Sequence, residues 1–388
     1  MNIIGLSAYY HDSACCLLQH GILVAAAQEE RFSRIKHDSS LPKAAFQYCL
    51  QQADLEITDI HCIAYYERPE LKLERQVWTH LPQIDARRAA AFWRSARRPE
   101  YELRELLGYS GQIIYVSHHE AHAASSFFYS GFNDAAIMTV DGVGEWATTT
   151  YGIGRGPEIS IFEEVFFPDS LGLLYSTITS YLGFSVNDGE YKVMGLAPYG
   201  RPLYVDQFQS LVESGPNGQY KLNLAYFDFT SQQRMFSEAL PGLFGQPPRI
   251  AEAEIAEFHK DMARSLQVVL EELLLQKACY LHRRTGMENL CMAGGVALNC
   301  VANSRILRDG PFHRIFVQPA AGDAGTSLGA AALAHTQLSG KRISQQALEH
   351  VFLGPGFSSD EIYRLLRSTP LEFLDFREQE EALLQAAV

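Results

Sequence analysis

The stretch DAAIMTVDGVGEWATTTYGIGRGPEI, Asp134–Ile159, decides the fold. An apolar run ends at Val140 and gives way to a glycine-rich turn holding Asp141 and Glu145. A threonine-rich run follows at Thr148–Thr150, then a second glycine turn. β-Branched runs bounded by glycine and acidic turns read as strand, turn, strand. The N-terminus repeats this plan: NIIGLSA, the polar YYHDS, then ACCLLQHGILVAAAQEE with a hairpin turn at His20–Gly21. Few residues are identical between the copies, so the repeat is one of architecture.

A duplicated strand–turn–strand unit resembles the actin-like ATPase fold of acetate and sugar kinases, heat-shock chaperones and actin. The expectation is an α/β chain with two subdomains around a nucleotide cleft. Residues 1–134 would form the first subdomain, and 135–340 the second, with an insertion near 201–250. The rest of the pattern fits helices and strands. A helix follows Pro42 in PKAAFQYCLQQA, and ITDIHCIAYYE and QIIYVS read as strands. SLGLLYSTITSYLGF reads as a helix capped by Ser170, and a long amphipathic helix is ended by Gly286. ENLCMAGGVALNCVANSRIL and RIFVQPAAGDAGTSLGAAALAH each read as strand, glycine loop, helix, a layout that points backbone N–H groups at anions. NDGEYKVMG places Asp188, Glu190 and Lys192 in one polar loop. After Lys341 a linker and short helix lead into EQEEALLQAAV, a helical pattern with no cap, as expected of a piece of a longer protein.

The 388 residues suffice for two or three domain-sized units. Hydrophobic residues make up 47% and charged residues 20%, ordinary for a globular chain. No apolar run reaches the ~18 residues a bilayer span needs, so no membrane partner is expected. The N-terminus lacks a basic n-region and a small-residue cleavage site, and reads as a buried strand. A net charge of −13 argues against nucleic acid as a partner. Arg87, Arg88, Arg94, Arg97 and Arg98 form one basic cluster, either a solvated helix face or a substrate or phosphate contact. Seven cysteines without a CxxC fit buried free thiols in a reducing cytoplasm.

YVSHHEAHAASSFFYSG, Tyr115–Gly131, holds His118, His119 and His122. On a helix His118 and His122 share a face and can chelate one divalent metal, or stand as two partly buried polar rings. Carboxylates would complete a metal site. Asp141 ends an apolar strand and Asp323 sits in the late glycine-rich loop, each a ligand or a local cap. EERFSRIKHDSSLP, Glu29–Pro42, is either a solvated loop or one whose cations meet phosphate.

Taken in order, GLSAYYHDSA, EERFSRIKH, HHEAHAASSFFYSGF, VDGVGEW, SLGLLYS, KVMGLAPYG, MAGGVALN and GDAGTSLGAA resemble the O-carbamoyltransferases of nodulation and antibiotic synthesis, the NodU/CmcH family. The resemblance covers about residues 2–357. It implies a domain like the tRNA threonylcarbamoyladenosine transferase that binds ATP or carbamoyl-adenylate and Fe2+ or another divalent metal. Carried over, the ligands are His118, His122, Asp141 and Asp323. The adenine-side loop is Gly294, Gly295 and Asn299, with Gly325 close by. Gly142, Gly144, Gly322 and Lys192 complete the nucleotide-binding set. His11, Asp12 and Lys36 fall near the reactive carbamoyl group, with the proton acceptor open between His11 and Asp12 and Lys36 aiding departure of the adenylate.

The family's second domain is YrdC-like and makes carbamoyl-adenylate from carbamoyl phosphate and ATP. Its arginine-rich signature is absent, and residues 341–388 would be a linker and the start of that domain. The implied activity is carbamoyl transfer to a hydroxyl of a small acceptor such as a sugar, an aminoglycoside or a cephem. The alternatives are a nucleotide- and metal-binding module inert without its YrdC-like partner, and a sugar kinase of the same fold. A second copy of the chain is a further partner left open.

Overall fold

Every residue of β1 (Asn2–Ser7) is buried. A strand covered on both faces needs small or apolar side chains throughout, which is why NIIGLS lacks the alternation of a surface strand. In the computed structural model, which describes residues 1–81, 84–230, 234–344, 347–377 and 379–387, β1 pairs antiparallel with β2 (Ala14–Gln19). The chain turns through His20 and Gly21, with φ of 53° and 80°, into β3 (Ile22–Gln28). Positive φ at both positions gives the turn whose twist matches its strands. β4 (Cys62–Tyr65) and β5 (Gln112–Tyr115) add in parallel on the other side, in the order β3-β2-β1-β4-β5.

The second half traces the same path. β6 (Asp134–Val140), β7 (Ala147–Arg155) and β8 (Glu158–Phe166) form an antiparallel meander. After a small hairpin of β9 (Val212–Ser214) and β10 (Tyr220–Leu222), β11 (Asn289–Ala293) and β12 (Arg314–Val317) join β6 in parallel. The order β12-β11-β6-β7-β8 is that of the first sheet read from the opposite edge. The duplication therefore extends from hairpins to whole five-stranded sheets, and the fold is the actin-like ATPase fold.

The helix Asp323–Ser339 comes late in the chain, yet it packs against β1, β2 and the helix His118–Phe127 of the first half. The approach excludes side chains: a Cβ on Gly329 would lie 1.8 Å from the Ala121 carbonyl oxygen, and one on Gly5 1.9 Å from that of Ser327. Each sheet has its own core, the first including Ile3, Phe46, Ile63 and Phe127, the second Met138, Tyr181, Leu270 and Met292. The region expected to be an insertion supplies Phe208, Leu211, Tyr220, Leu240 and Phe244 to that second core. Ser170 caps the helix Leu171–Tyr181 by accepting from the Leu173 N–H at 3.0 Å. The long helix Glu257–Thr285 ends at Gly286, φ 65°.

NDGEYKVMG is not one loop, because a helix runs Glu190–Leu196 and carries both Glu190 and Lys192. The Glu190 carboxylate accepts from the Asn187 and Gly189 amides, which supports a helix start. The arginine cluster lies on the helix Ala86–Glu105, opened by Asp85 and preceded by the helix Pro69–His80. Among the described residues no disulfide forms, and Cys300 departs from the expected burial by being exposed. No helix of the described residues is long and apolar enough to cross a membrane. Met1–Leu353 is one unit, and Gly354–Val388 is a second that contains the helices Ser359–Arg367 and Glu380–Ala387. Residues 231–233 of the expected insertion, 345–346 of the expected linker, and 378 and 388 of the tail pattern lie outside the described residues.

Candidate functional site

The first sheet hands its chain from β5 into the histidine helix, the second ends β6 at Asp141, and the late helix opens on Asp323. These three ends converge. His118 Nε2 lies 3.1 Å from His122 Nε2, 3.1 Å from Asp141 Oδ2 and 3.7 Å from Asp323 Oδ1. His122 Nε2 lies 3.9 and 3.6 Å from the same two carboxylate oxygens. All four residues are buried, and the four ligand atoms lie within 4.8 Å of one another. Donors bonded at right angles to one ion, about 2.1 Å from each, sit about 3 Å apart. Two imidazoles and two carboxylates also form a donor set that a divalent transition metal accepts. The residues fit such an ion.

Other contacts fix this arrangement. The Gly295 N–H donates to Asp141 Oδ1 at 2.7 Å, leaving Oδ2 to face His118. The buried Glu145 carboxylate accepts from the His118 amide at 3.0 and 3.2 Å and from the Arg68 amide at 2.8 Å. It thereby satisfies a free N–H at the start of the histidine helix, a task the Ser117 side chain does not perform. His119 faces away from the cluster. Its Nε2–H donates to the Ala147 carbonyl at 2.9 Å, so its Nδ1 accepts from the Thr139 hydroxyl at 2.6 Å.

The electrostatics separate the rings. Burial disfavours charge on His118, but Asp323 and Asp141 outweigh it and raise its pKa to about 9. Burial and the neighbouring His118 push His119 down to about 3, so it is a neutral structural ring. Burial works against ionised Asp141 as well, yet His118 and His122 hold it well below the usual carboxylate range.

Beside this cluster opens a cavity of about 610 Å³, lined by His11, Asp12, Lys36, Asp141, Gly142, Gly295, Asn299 and Gly322 among the residues singled out from sequence. His11 and Asp12 lie between β1 and β2. Asp12 accepts from His11 Nδ1 at 2.8 Å and from His37 Nδ1 at 2.7 Å. His11 Nε2 is thus left free, 3.9 Å from Asp323. Lys36 pairs across the cavity with Asp188, and Lys192 Nζ stands 3.8 Å from the same carboxylate. Asn299 caps the helix Cys300–Asp309 and exchanges two hydrogen bonds with Gln267.

Gly144, Gly294 and Gly325 do not line the cavity. They permit close approaches behind it: a Cβ on Gly144 would lie 3.0 Å from His118, one on Gly325 2.0 Å from the Ala320 oxygen, and one on Gly294 2.3 Å from the Val140 oxygen. Sequence reasoning assigned no role to Arg75, Tyr10 or Glu145. Glu145 lies inside the decisive turn, but nothing local marks it as the cap of a helix that begins 27 residues earlier.

The carbamoyltransferase N-terminus family model matches residues 2–332. An uncharacterised protein of Synechocystis sp. is 42% identical over 96% of this chain and 63% of its own length. Nodulation protein NolNO of Sinorhizobium fredii is 37% identical over 91% of this chain and 50% of its own. Nodulation protein NolO of Bradyrhizobium diazoefficiens is 35% identical over 70% and 47%. The chain thus spans between about half and just under two thirds of the length of these relatives. The match over residues 2–332 contains both sheets and every side chain of the buried cluster, and on it the chain belongs to the carbamoyltransferase N-terminus family.

Proposed function

We propose that this chain is the transfer domain of an O-carbamoyltransferase, moving a carbamoyl group from carbamoyl-adenylate to a hydroxyl of a small acceptor. One observation carries the reading: the His118, His122, Asp141 and Asp323 cluster abuts a cavity fed by both duplicated hairpins. His118, His122, Asp141 and Asp323 would hold Fe2+ or another divalent ion, which when bound supplies charge stabilisation to phosphate or carbonyl oxygens. Gly142, Gly295 and Gly322 leave room at the cavity wall for a nucleotide. The acceptor oxygen attacks the carbamoyl carbon, the new C–O bond forms, and the bond from that carbon to the adenylate oxygen breaks.

Of the two candidate proton acceptors, geometry favours His11. Asp12 accepts from the ring at Nδ1, so Nε2 can take the hydroxyl proton when the ring is neutral; burial favours that form, but Asp323 and Asp12 outweigh it and raise the pKa to about 9. Asp12 is the residue that orients it, and Lys36 balances charge on the departing adenylate. Residues 1–134 and 135–340 are the two subdomains in this proposal. The carbamoyl-adenylate comes from carbamoyl phosphate and ATP on a YrdC-like domain, of which residues 341–388 are the linker and start.

A test supplies carbamoyl-adenylate from a separately produced adenylating domain and follows carbamoylated acceptor by mass spectrometry. Product formation supports transfer by this chain. A chain that binds nucleotide and metal yet forms no product is the inert module, a reading the partial length relative to NolNO favours. His118→Ala and His122→Ala are expected to lose bound metal by elemental analysis, and full metal content in both sinks the ligand assignment.

A further inference from the structure

Among the described residues, several cations around the cavity are neutralised by neighbours, and Arg75 is not. Lys36 meets Asp188, and His11 and His37 meet Asp12. Arg75, on the helix Pro69–His80, lines the same cavity, and no carboxylate of the described residues lies within ion-pair distance of it. Two contacts fix its guanidinium. Nε donates to the Glu145 carbonyl, and the group lies over the Phe167 ring, 5.5 Å from the centroid. Both terminal nitrogens, with their fork of N–H donors, are left without a protein partner among the described residues.

Burial lowers the pKa of Arg75 from its ordinary value, but arginine stays charged in proteins. An unpaired, partly desolvated cation is costly unless something completes it. The fold therefore holds a planar charge rigidly, with its donors unspent, at the wall of a ligand-sized cavity. Its anchor is the same Glu145 whose carboxylate caps the His118 amide, so the guanidinium is tied to the turn that carries Asp141.

We infer that Arg75 is an oxyanion clamp: its terminal nitrogens grip a phosphate or carboxylate group of a ligand in the cavity, in the two-pronged manner that guanidinium favours. Resting on the proposed carbamoyl transfer, the anion has two sources, the phosphoryl group of the adenylate or an acidic group on the acceptor.

Calorimetric titration of the whole chain with AMP, adenosine, inorganic phosphate, glucose and glucuronate separates them. Losing a charge-assisted pair of hydrogen bonds weakens binding roughly ten- to hundredfold. If Arg75→Met loses that much affinity for AMP and none for adenosine, the clamp holds the adenylate phosphate. If AMP is unaffected and glucuronate falls to the level of glucose, it holds an acceptor acid. Arg75→Lys, which keeps the charge without the fork, should recover part of the loss, and it carries the test if the methionine variant fails to fold. Unchanged metal content in the variants shows the His118 cluster intact. Affinities like wild type for all three anions overturn the inference, as does a wild-type chain that binds none of them. Turnover is not needed: Arg75-dependent anion binding without any carbamoyl transfer refutes the function and leaves the clamp, and the opposite result does the reverse.

Discussion

Lys277 is 2% exposed on the helix Glu257–Thr285, and its Nζ lies over the Tyr220 ring, 4.5 Å from the centroid. No carboxylate of the described residues pairs with it. Burial alone lowers its pKa from 10.5 to about 8, and at 1.36 kcal/mol per tenfold change that fall corresponds to roughly 3 kcal/mol of destabilisation while the amine is charged. The contact with Tyr220 returns roughly 1–2 kcal/mol. Lys277→Met keeps the volume and removes the charge, so it should stabilise the fold by about 1–2 kcal/mol at pH 7.

The sign with pH is fixed. Between pH 8 and 10.5 the unfolded lysine holds a proton that the folded one has lost, so wild-type stability rises through that window. The penalty is fully present below pH 8 and gone above 10.5, and the gap between variant and wild type should shrink as pH climbs. Urea denaturation of both proteins at pH 7, 8, 9 and 10 measures it, using unchanged slopes to check that the transitions are comparable. A variant less stable than wild type at pH 7, or a gap that does not move with pH, refutes the reasoning.

His119→Ala removes a buried ring bonded at both nitrogens and should cost about 2–4 kcal/mol by denaturation. It should retain the proposed divalent ion, and metal content at background would refute the reading of His119 as a ring outside the metal site. Gly294 adopts φ 95° with the Val140 oxygen 2.3 Å from where a Cβ would stand, so Gly294→Ala should lose at least about 2 kcal/mol. Stability within about 0.5 kcal/mol of wild type, measured in the same way, would show that the turn relaxes freely.

The duplicated hairpins were readable because strand period and glycine turns are local properties, and His118 and His122 because four-residue spacing is local too. Asp323 is different. Its place in a glycine-rich loop marked it as a ligand or a cap, but its approach to the histidines depends on a late helix crossing to the first sheet, a packing fact that no spacing encodes. Arg75 carried no signal at all, because a cavity wall exists only once Phe167 and the turn at Glu145 are in place. NDGEYKVMG misled through its glycine and polar content, which also suits a capped helix start.

The seat of the helix Asp323–Ser339 bears on how the protein comes to exist. β1 is made some three hundred residues before the helix that covers it, with Gly329 against Ala121. Contacts so distant in sequence form slowly, and the first sheet stays unsealed until that helix is made. Until that helix is seated, the proposed ion site has His118, His122 and Asp141 without its fourth donor, Asp323. If the cluster holds an ion as proposed, capture of that ion waits on the seating of this late helix.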